Sequence, residues 1–254
     1  MGYTKIVRFG DQIELYEYEK TVSSVRRNKP KSALQRKRQR DRNASKTYTR
    51  SDYSIQRAKR NFFRLCHHNN TLATTITFVT LTYFYSPIYS DCLRDIAHFF
   101  ARLKKQYASV GYPPISYIAV PELTKKERYH FHLLVYNLPP SVAEREISIG
   151  DSNFGATRNI QRLWRKGYVT TDIASYNSTG IAGYMAKYMG KALADAKHGV
   201  RRGYNCSRNI EKISSAGSNS VDFAFYMIPD GLAKKVSDYQ VPFLGTCTLT
   251  KYQL

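Results

Sequence analysis

Thr75-Ile76-Thr77-Phe78-Val79-Thr80-Leu81-Thr82-Tyr83-Phe84 is the stretch on which the reading of the fold turns. β-Branched and aromatic residues fill it, which suits a pleated, half-buried backbone, and alternation puts Phe78, Thr80 and Thr82 on one face. After this strand, Ser90-Asp91 is expected to cap a helix in which Leu93, Ile96, Ala97, Phe100, Leu103 and Tyr107 follow the 3.6-residue period, before Gly111 and Pro113-Pro114 end it. Two strands follow, Ser116 to Glu122 and His130 to Tyr136, separated by the polar turn Lys125-Lys126-Glu127-Arg128 and closed by Pro139-Pro140. A helix over Thr157 to Lys166, with Ile160, Leu163 and Trp164 on its apolar side and Gly167 as its stop, leads to a strand at Tyr168 to Ile173. The succession β-α-β-β-α-β predicts an α+β fold of ferredoxin-like type, a central antiparallel sheet with helices covering one face.

Outward from this core, the spacing predicts a helix from about Thr179 to Lys197, between Ser178 and Gly199. The opening Tyr3 to Glu19 alternates around Gly10-Asp11 as a hairpin, with strands near Lys5 to Phe9 and Gln12 to Tyr18. The tail from Val221 to Leu254 has alternation enough for two strands, and Asn69-Asn70 reads as a loop. Three segments are therefore expected: 1–70, a hairpin with a basic arm; 71–210, the core; 211–254, strands packing on that core.

Charge sets the class of partner. The 254 residues carry 40 Lys and Arg against 19 Asp and Glu, a net charge of +21 that attracts polyanions. From Arg26 to Arg64, 15 basic residues face only Asp41 and Asp52, so more than half of the excess lies in this arm. Its Ser32 to Arg42 stretch has almost no apolar residue with which to fold, and Arg36, Lys37, Arg38, Arg40 and Arg42 are its candidate DNA contacts. Tyr53 to Leu65 places Ile55, Ala58, Phe62 and Leu65 at helical spacing, a basic helix with one docked side. Cys66, Cys92, Cys206 and Cys247 are far apart and form no C-x-x-C pair, which reads as reduced thiols of a cytoplasmic protein rather than a disulfide or zinc framework. His67-His68 beside Cys66 lacks a further ligand at zinc-like spacing and reads as a surface pair. No run approaches the roughly 20 apolar residues of a membrane span and the start has no signal-peptide core, so no membrane association is expected.

Two clusters carry chemistry. In His130-Phe131-His132, two imidazoles project from the same face of a strand while Phe131 enters the core. With Glu122 from the preceding strand they make a mixed nitrogen and oxygen set suited to Mn²⁺ or Mg²⁺, with Glu127 in the turn as the rival carboxylate. Taken alone, His-x-His equally describes two hydrogen-bonded or exposed strand histidines. The second cluster is Tyr184-Met185-Ala186-Lys187-Tyr188-Met189-Gly190-Lys191, whose helical spacing stacks Tyr184 on Tyr188 and sets Lys187 and Lys191 in a neighbouring row. Ammonium groups beside phenols favour phenolate, the form that attacks phosphorus. Ile181, Tyr184, Met185 and Tyr188 equally describe a buried stripe. Gly183 and Gly190 weaken the helix and suit close approach of a backbone or of DNA. Trp164 falls on an apolar stripe and reads as core.

Phe78-Val79-Thr80-Leu81-Thr82, His130-Phe131-His132 and the double-tyrosine Y-x-x-K-Y, in that order, resemble the three motifs of HUH (His-hydrophobic-His) rolling-circle replication initiators of small single-stranded DNA phages and related plasmids. Val120-Pro121-Glu122, Trp164-x-x-Gly167, Arg202-x-Tyr204 and Ser207-Arg208 fit the same context. The resemblance covers about Phe78 to Lys191. It implies that His130 and His132 bind the metal and that Tyr184 or Tyr188 attacks the scissile phosphate of single-stranded origin DNA, leaving a 5′-phosphotyrosine and a 3′-hydroxyl that primes a host polymerase. The second tyrosine then performs the strand transfer that recloses the circle, and the first motif is mainly structural. No G-x-x-x-x-G-K-[ST] occurs, so unwinding is expected to need a host helicase, in a bacterial cytoplasm. Two other classes fit part of the pattern: an HUH transposase or relaxase, and a non-catalytic basic nucleic-acid-binding protein gripping single-stranded or duplex DNA.

Overall fold

In the computed structural model the described residues are 2–20, 52–108, 113–124, 127–138, 158–173, 178–194, 203–218, 228, 231–232, 234–241 and 245–254. The chain forms two compact units, 49–211 and the pair of segments 1–48 and 212–254. The expected boundary at 210 lies one residue from the unit boundary at 211, whereas position 70 falls inside the larger unit.

In the larger unit the elements are α1 (Asp52–Leu72), β3 (Ile76–Thr82), α2 (Tyr89–Tyr107), β4 (Ser116–Leu123), β5 (Tyr129–Tyr136), α3 (Arg158–Trp164), β6 (Val169–Ile173), α4 (Ser178–Ala194) and the short β7 (Asn205–Cys206). The sheet order is β6-β3-β5-β4-β7, with every pair antiparallel. Strands β3 and β4 flank β5, the interlocked β-α-β arrangement expected from the sequence. α2 and α3 pack on one face, where Ile96, Phe99, Phe100, Leu103, Ile160 and Trp164 meet Val79, Leu81, Phe131 and Leu133.

The opposite face is also covered, which corrects the expectation of helices on one side only. There α1 and α4 bring Phe62, Leu65, Ala182, Met185, Ala186 and Met189 onto Ile118, Val120, Leu134 and Tyr136. The physical reason is visible along β5, which is buried at nearly every position, so both of its faces need a cover.

Three local expectations also change. Asn69 and Asn70 are buried inside α1 rather than in a loop. Asn69 Nδ2 donates to the carbonyls of Leu65 at 2.9 Å and Glu211 at 3.0 Å, while its Oδ1 accepts from Glu211 N at 3.0 Å. His67 is buried and stacked on the Phe63 ring, 5.9 Å between centroids, so the Cys66-His67-His68 group is not a surface pair. α2 is capped at Ile88 without a side-chain bond, and the amides of Asp91 and Cys92 instead donate to the Ile88 carbonyl at 3.0 and 3.2 Å.

The smaller unit is a second antiparallel sheet, β8-β1-β2-β10-β9, built from β1 (Tyr3–Phe9), β2 (Gln12–Tyr18), β8 (Ser214–Ser218), β9 (Lys234–Val241) and β10 (Gly245–Gln253). Gly10, with φ 55°, makes the two-residue turn that sets Phe9 opposite Gln12. β10 pairs with β2 and β8 with β1, so the hydrogen-bonded partners of the tail strands are those of the N-terminal hairpin.

Trp164 locks α3 to the end of β3. Its side chain is fully buried, Nε1 donates to the Thr82 carbonyl at 2.8 Å, and its ring meets Tyr83 and Phe99 edge-on. α3 ends there, with Arg165 in the left-handed region at φ 59°, rather than at Gly167. Gly167 has a different duty, because a Cβ there would collide with the Thr82 carbonyl. Trp164→Ala is expected to cost about 3–5 kcal/mol and Trp164→Phe about 1–2 kcal/mol in urea denaturation followed by circular dichroism.

Candidate active site

β5 supplies the first half of the site. In its antiparallel register His130 lies between Thr82 of β3 and Glu122 of β4, and His132 between Thr80 and Val120. Directly paired residues share a face, so Phe78, Thr80, Thr82, Glu122, His130 and His132 all lie on the side that α4 covers. Phe131 points the other way and is fully buried against α2.

His132 is held on every side. Nε2 lies 2.8 Å from Glu122 Oε2 and Nδ1 lies 3.3 Å from Thr80 Oγ1, so both ring nitrogens are engaged. Since a carboxylate only accepts, the Nε2 proton faces Glu122 and the Thr80 hydroxyl donates to Nδ1. The Phe78 ring stacks with the imidazole at 5.8 Å. The Tyr188 ring closes over it, with centroids 4.2 Å apart.

α4 supplies the second half. Its buried stripe is Ala182, Met185, Ala186, Met189 and Leu193, not the tyrosines. Tyr184 is exposed to 46% and Tyr188 is half-buried, and their hydroxyl oxygens meet at 2.9 Å. The Tyr184 ring rests edge-on against Phe78 at 5.6 Å. Lys191, three residues beyond Tyr188, puts Nζ 3.6 Å from Glu122 Oε1 and 5.1 Å from the centroid of the Tyr188 ring. Lys187 is exposed and reaches the phenols only through its field.

These contacts set the ionisation states. The hydrogen bond shared with Tyr188 pushes the Tyr184 phenol up to about 12, helped by burial and by the charge of Glu122, while Lys187 pulls the other way. His130 is held below the usual imidazole range, first by burial and then by repulsion from His132, with Glu122 opposing. Both causes favour its neutral form.

For a metal the donor chemistry is right: two imidazoles, one kept neutral, and a carboxylate beside them suit a divalent cation. Among the described residues, however, no three His, Cys, Asp or Glu side chains stand ready as a metal cage, and Glu122 and His132 are bonded to each other. Glu127, the rival carboxylate, is exposed in the turn with φ 56°.

The structure thus gathers Glu122, His130, His132, Tyr184, Tyr188 and Lys191 on one side of the sheet and leaves Lys187 at the rim. Arg36, Lys37, Arg38, Arg40 and Arg42 lie outside the described residues. Phe78 and Thr80 belong to the site too, although the sequence motif that holds them reads as a structural strand. The signal is present: the alternation that places Phe78, Thr80 and Thr82 together puts them opposite the histidines. Gly183 stands in open space, whereas a Cβ on Gly190 would lie 2.9 Å from the Lys59 side chain, so a side chain of α1 is what comes close there.

Comparison with known proteins covers this same segment. Residues 76–193 match the family model of replication-associated protein ORF2/G2P. The chain is 34% identical over 128 residues to the replication-associated protein ORF2 of Spiroplasma virus 4, a match spanning 46% of this chain and 38% of the relative's length. No solved structure matches. Residues 76–193, which hold the whole set of phenols, imidazoles and carboxylate, are thus the part of the chain that is similar to the replication-associated protein ORF2/G2P family.

Proposed function

We propose that this protein nicks single-stranded origin DNA through a tyrosine and rejoins the strands, the chemistry that opens and closes rolling-circle replication. The observation that supports this is the meeting of two phenol oxygens at 2.9 Å, one of them on the tyrosine whose ring lies over an imidazole that is bonded to a carboxylate. Phosphoryl transfer needs a nucleophile, a means of spreading charge from the phosphate, and a fixed geometry.

A divalent cation, Mn²⁺ or Mg²⁺, held by His130, His132 and Glu122 would polarise a non-bridging phosphate oxygen. Everything else falls to the side chains. Glu122 would belong to that donor set, and the Thr80 hydroxyl, which can accept as well as donate, would accept a hydrogen bond from Nδ1–H in the His132 tautomer whose Nε2 is free to bind the cation. Lys191, paired with Glu122 at 3.6 Å, would then be available to the phosphate. The Tyr184 or Tyr188 oxygen forms its bond to phosphorus as the phenol proton passes to water, and the 3′-oxygen takes up a proton from water as its bond to phosphorus breaks. The products are a 5′-phosphotyrosine and a 3′-hydroxyl end, which a host polymerase would extend while a host helicase unwinds the duplex. Attack by the second tyrosine on the regenerated junction frees the first and allows the circle to close. The basic arm would hold the DNA by its phosphates.

Three measurements test this reading. With oligonucleotides tiled from the replicon's own genome, the parent chain is expected to form a covalent adduct that survives denaturing gels, is lost on chelation and returns with Mn²⁺; an adduct persisting in Tyr184→Phe/Tyr188→Phe overturns it. Tyr188→Phe removes the hydrogen bond that most raises the Tyr184 phenol, so its titration should move down from about 12 toward the free value of about 10 in ¹³C-tyrosine NMR. DNA affinity should fall with salt at a logarithmic slope of about −0.7 for each single-strand phosphate contacted, and a flat response would count against the arm.

A further inference from the structure

The described residues expose few large hydrophobic side chains, and three of them, Phe84, Tyr85 and Tyr168, gather just beyond the end of β3. Phe84 and Tyr168 are 56% and 68% exposed, and their rings meet edge-on at 4.9 Å. Neither belongs to the motifs or to the site described above. Exposed aromatic pairs on a folded surface mark contact with something else.

This pair is rigidly mounted. Phe84 N donates to the Lys166 carbonyl at 3.0 Å and Thr82 N to the Tyr168 carbonyl at 2.9 Å. The Thr82 hydroxyl also accepts from Tyr168 N at 2.9 Å. Beneath lies buried Tyr83, braced by Trp164 at 5.0 Å, with Tyr85 edge-on against Tyr83 at 5.7 Å. The rings therefore stand on the core of the domain, and little order has to be gained when they bind.

Position and charge indicate what binds. Thr82, whose backbone and hydroxyl hold Tyr168, is the direct cross-strand partner of His130. Phe84 lies two residues farther along, about 7 Å at extended spacing, so the rings begin one short step from the imidazoles. Around them the sequence supplies the exposed side chains of Arg162 and Arg165 and also Lys166, whose ammonium is drawn to Asp95 at 3.3 Å. Exposed π-faces beside guanidinium groups are what unpaired bases on a phosphate backbone require.

We propose that Phe84 and Tyr168 form a stacking platform for unpaired bases of single-stranded DNA, holding the strand on the His130 side of the scissile phosphate. This deepens the nicking reading and rests on it. The platform fixes where along the strand a phosphate halts, without reading base identity, because every base offers a π-face.

The test is equilibrium binding of single-stranded oligonucleotides by fluorescence anisotropy, in the Tyr184→Phe/Tyr188→Phe background so that no covalent product inflates affinity. Phe84→Ala and Tyr168→Ala, at exposed positions, are each expected to weaken binding by roughly fivefold to a hundredfold, the range for one lost base stack. Phe84→Trp should restore it, and an abasic substitution at the stacked nucleotide should remove most of the difference in affinity that Phe84→Ala introduces. Unchanged affinity in the Phe84→Ala/Tyr168→Ala double variant, with adduct formation by the tyrosine-intact chain preserved, overturns the platform alone. A change in sedimentation of that variant with unchanged DNA affinity overturns it in favour of contact between copies of the chain. Absence of both adduct and single-strand binding overturns the platform together with the reading beneath it.

Discussion

The antiparallel register of β3, β5 and β4 is the constraint on which the site depends. It sets Thr82, His130 and Glu122 in one row across the sheet and Thr80, His132 and Val120 in the next. The side-chain period of a strand is two, so a slip of one residue between β4 and β5 would send Glu122 to the face occupied by α2 and leave His132 without its carboxylate. Such a slip would also drive Ile118 and Val120 out from under α4, stripping two fully buried side chains of the contacts that fit them. At roughly 1.5–3 kcal/mol for each buried aliphatic side chain, burial on that face enforces the register far more strongly than the few polar contacts at the site itself.

Packing and polarity divide the same face. Toward one end it is dry, where Leu134 and Tyr136 lie beneath α1 and α4. Toward the other the apolar layer stops: His132 is still buried, while His130 and Glu122 are in partial contact with solvent. His130 and Tyr184 drift in opposite directions: burial first lowers the imidazole, whereas the hydrogen bond to Tyr188 first raises the phenol, with burial adding to it. Beside them the charges of Lys191 and Glu122 offset each other at 3.6 Å.

Much of this arrangement is legible in the residues. Alternation around Phe131 fixes which way the histidines point, and 3.6-residue spacing puts Tyr184 beside Tyr188. The apolar run Leu133, Leu134, Val135 and Tyr136 signals burial on both faces of β5, yet it does not say which helices provide the cover. α1 illustrates why: Asn69 and Asn70 look like a loop, and only a carbonyl at Glu211, far along the chain, makes Asn69 an interior residue. β8 is unreadable for another reason. Ser214-Ser215-Ala216-Gly217-Ser218 has no apolar alternation and becomes a strand because β1 offers it an edge. The contribution of Phe78 and Thr80 is half visible, since alternation gives the face they share but not what lies across the sheet from it.

Helix α4 shows how a structural stripe and a chemical one share seventeen residues. Met185 and Met189 fill the groove below and are themselves one turn apart, so the tyrosines that precede each of them, Tyr184 and Tyr188, must also repeat by one turn and lean toward the sheet on one edge of the helix. The methionines thereby set the phase of the phenols. On the proposed chemistry this phase matters more than the basicity of either oxygen. Two nucleophiles 2.9 Å apart can address one phosphate position in turn with a change of side-chain rotamer, while the helix stays seated. A pair spaced by two or five residues would diverge around the helix, and the second transfer would then require the DNA or the helix itself to move.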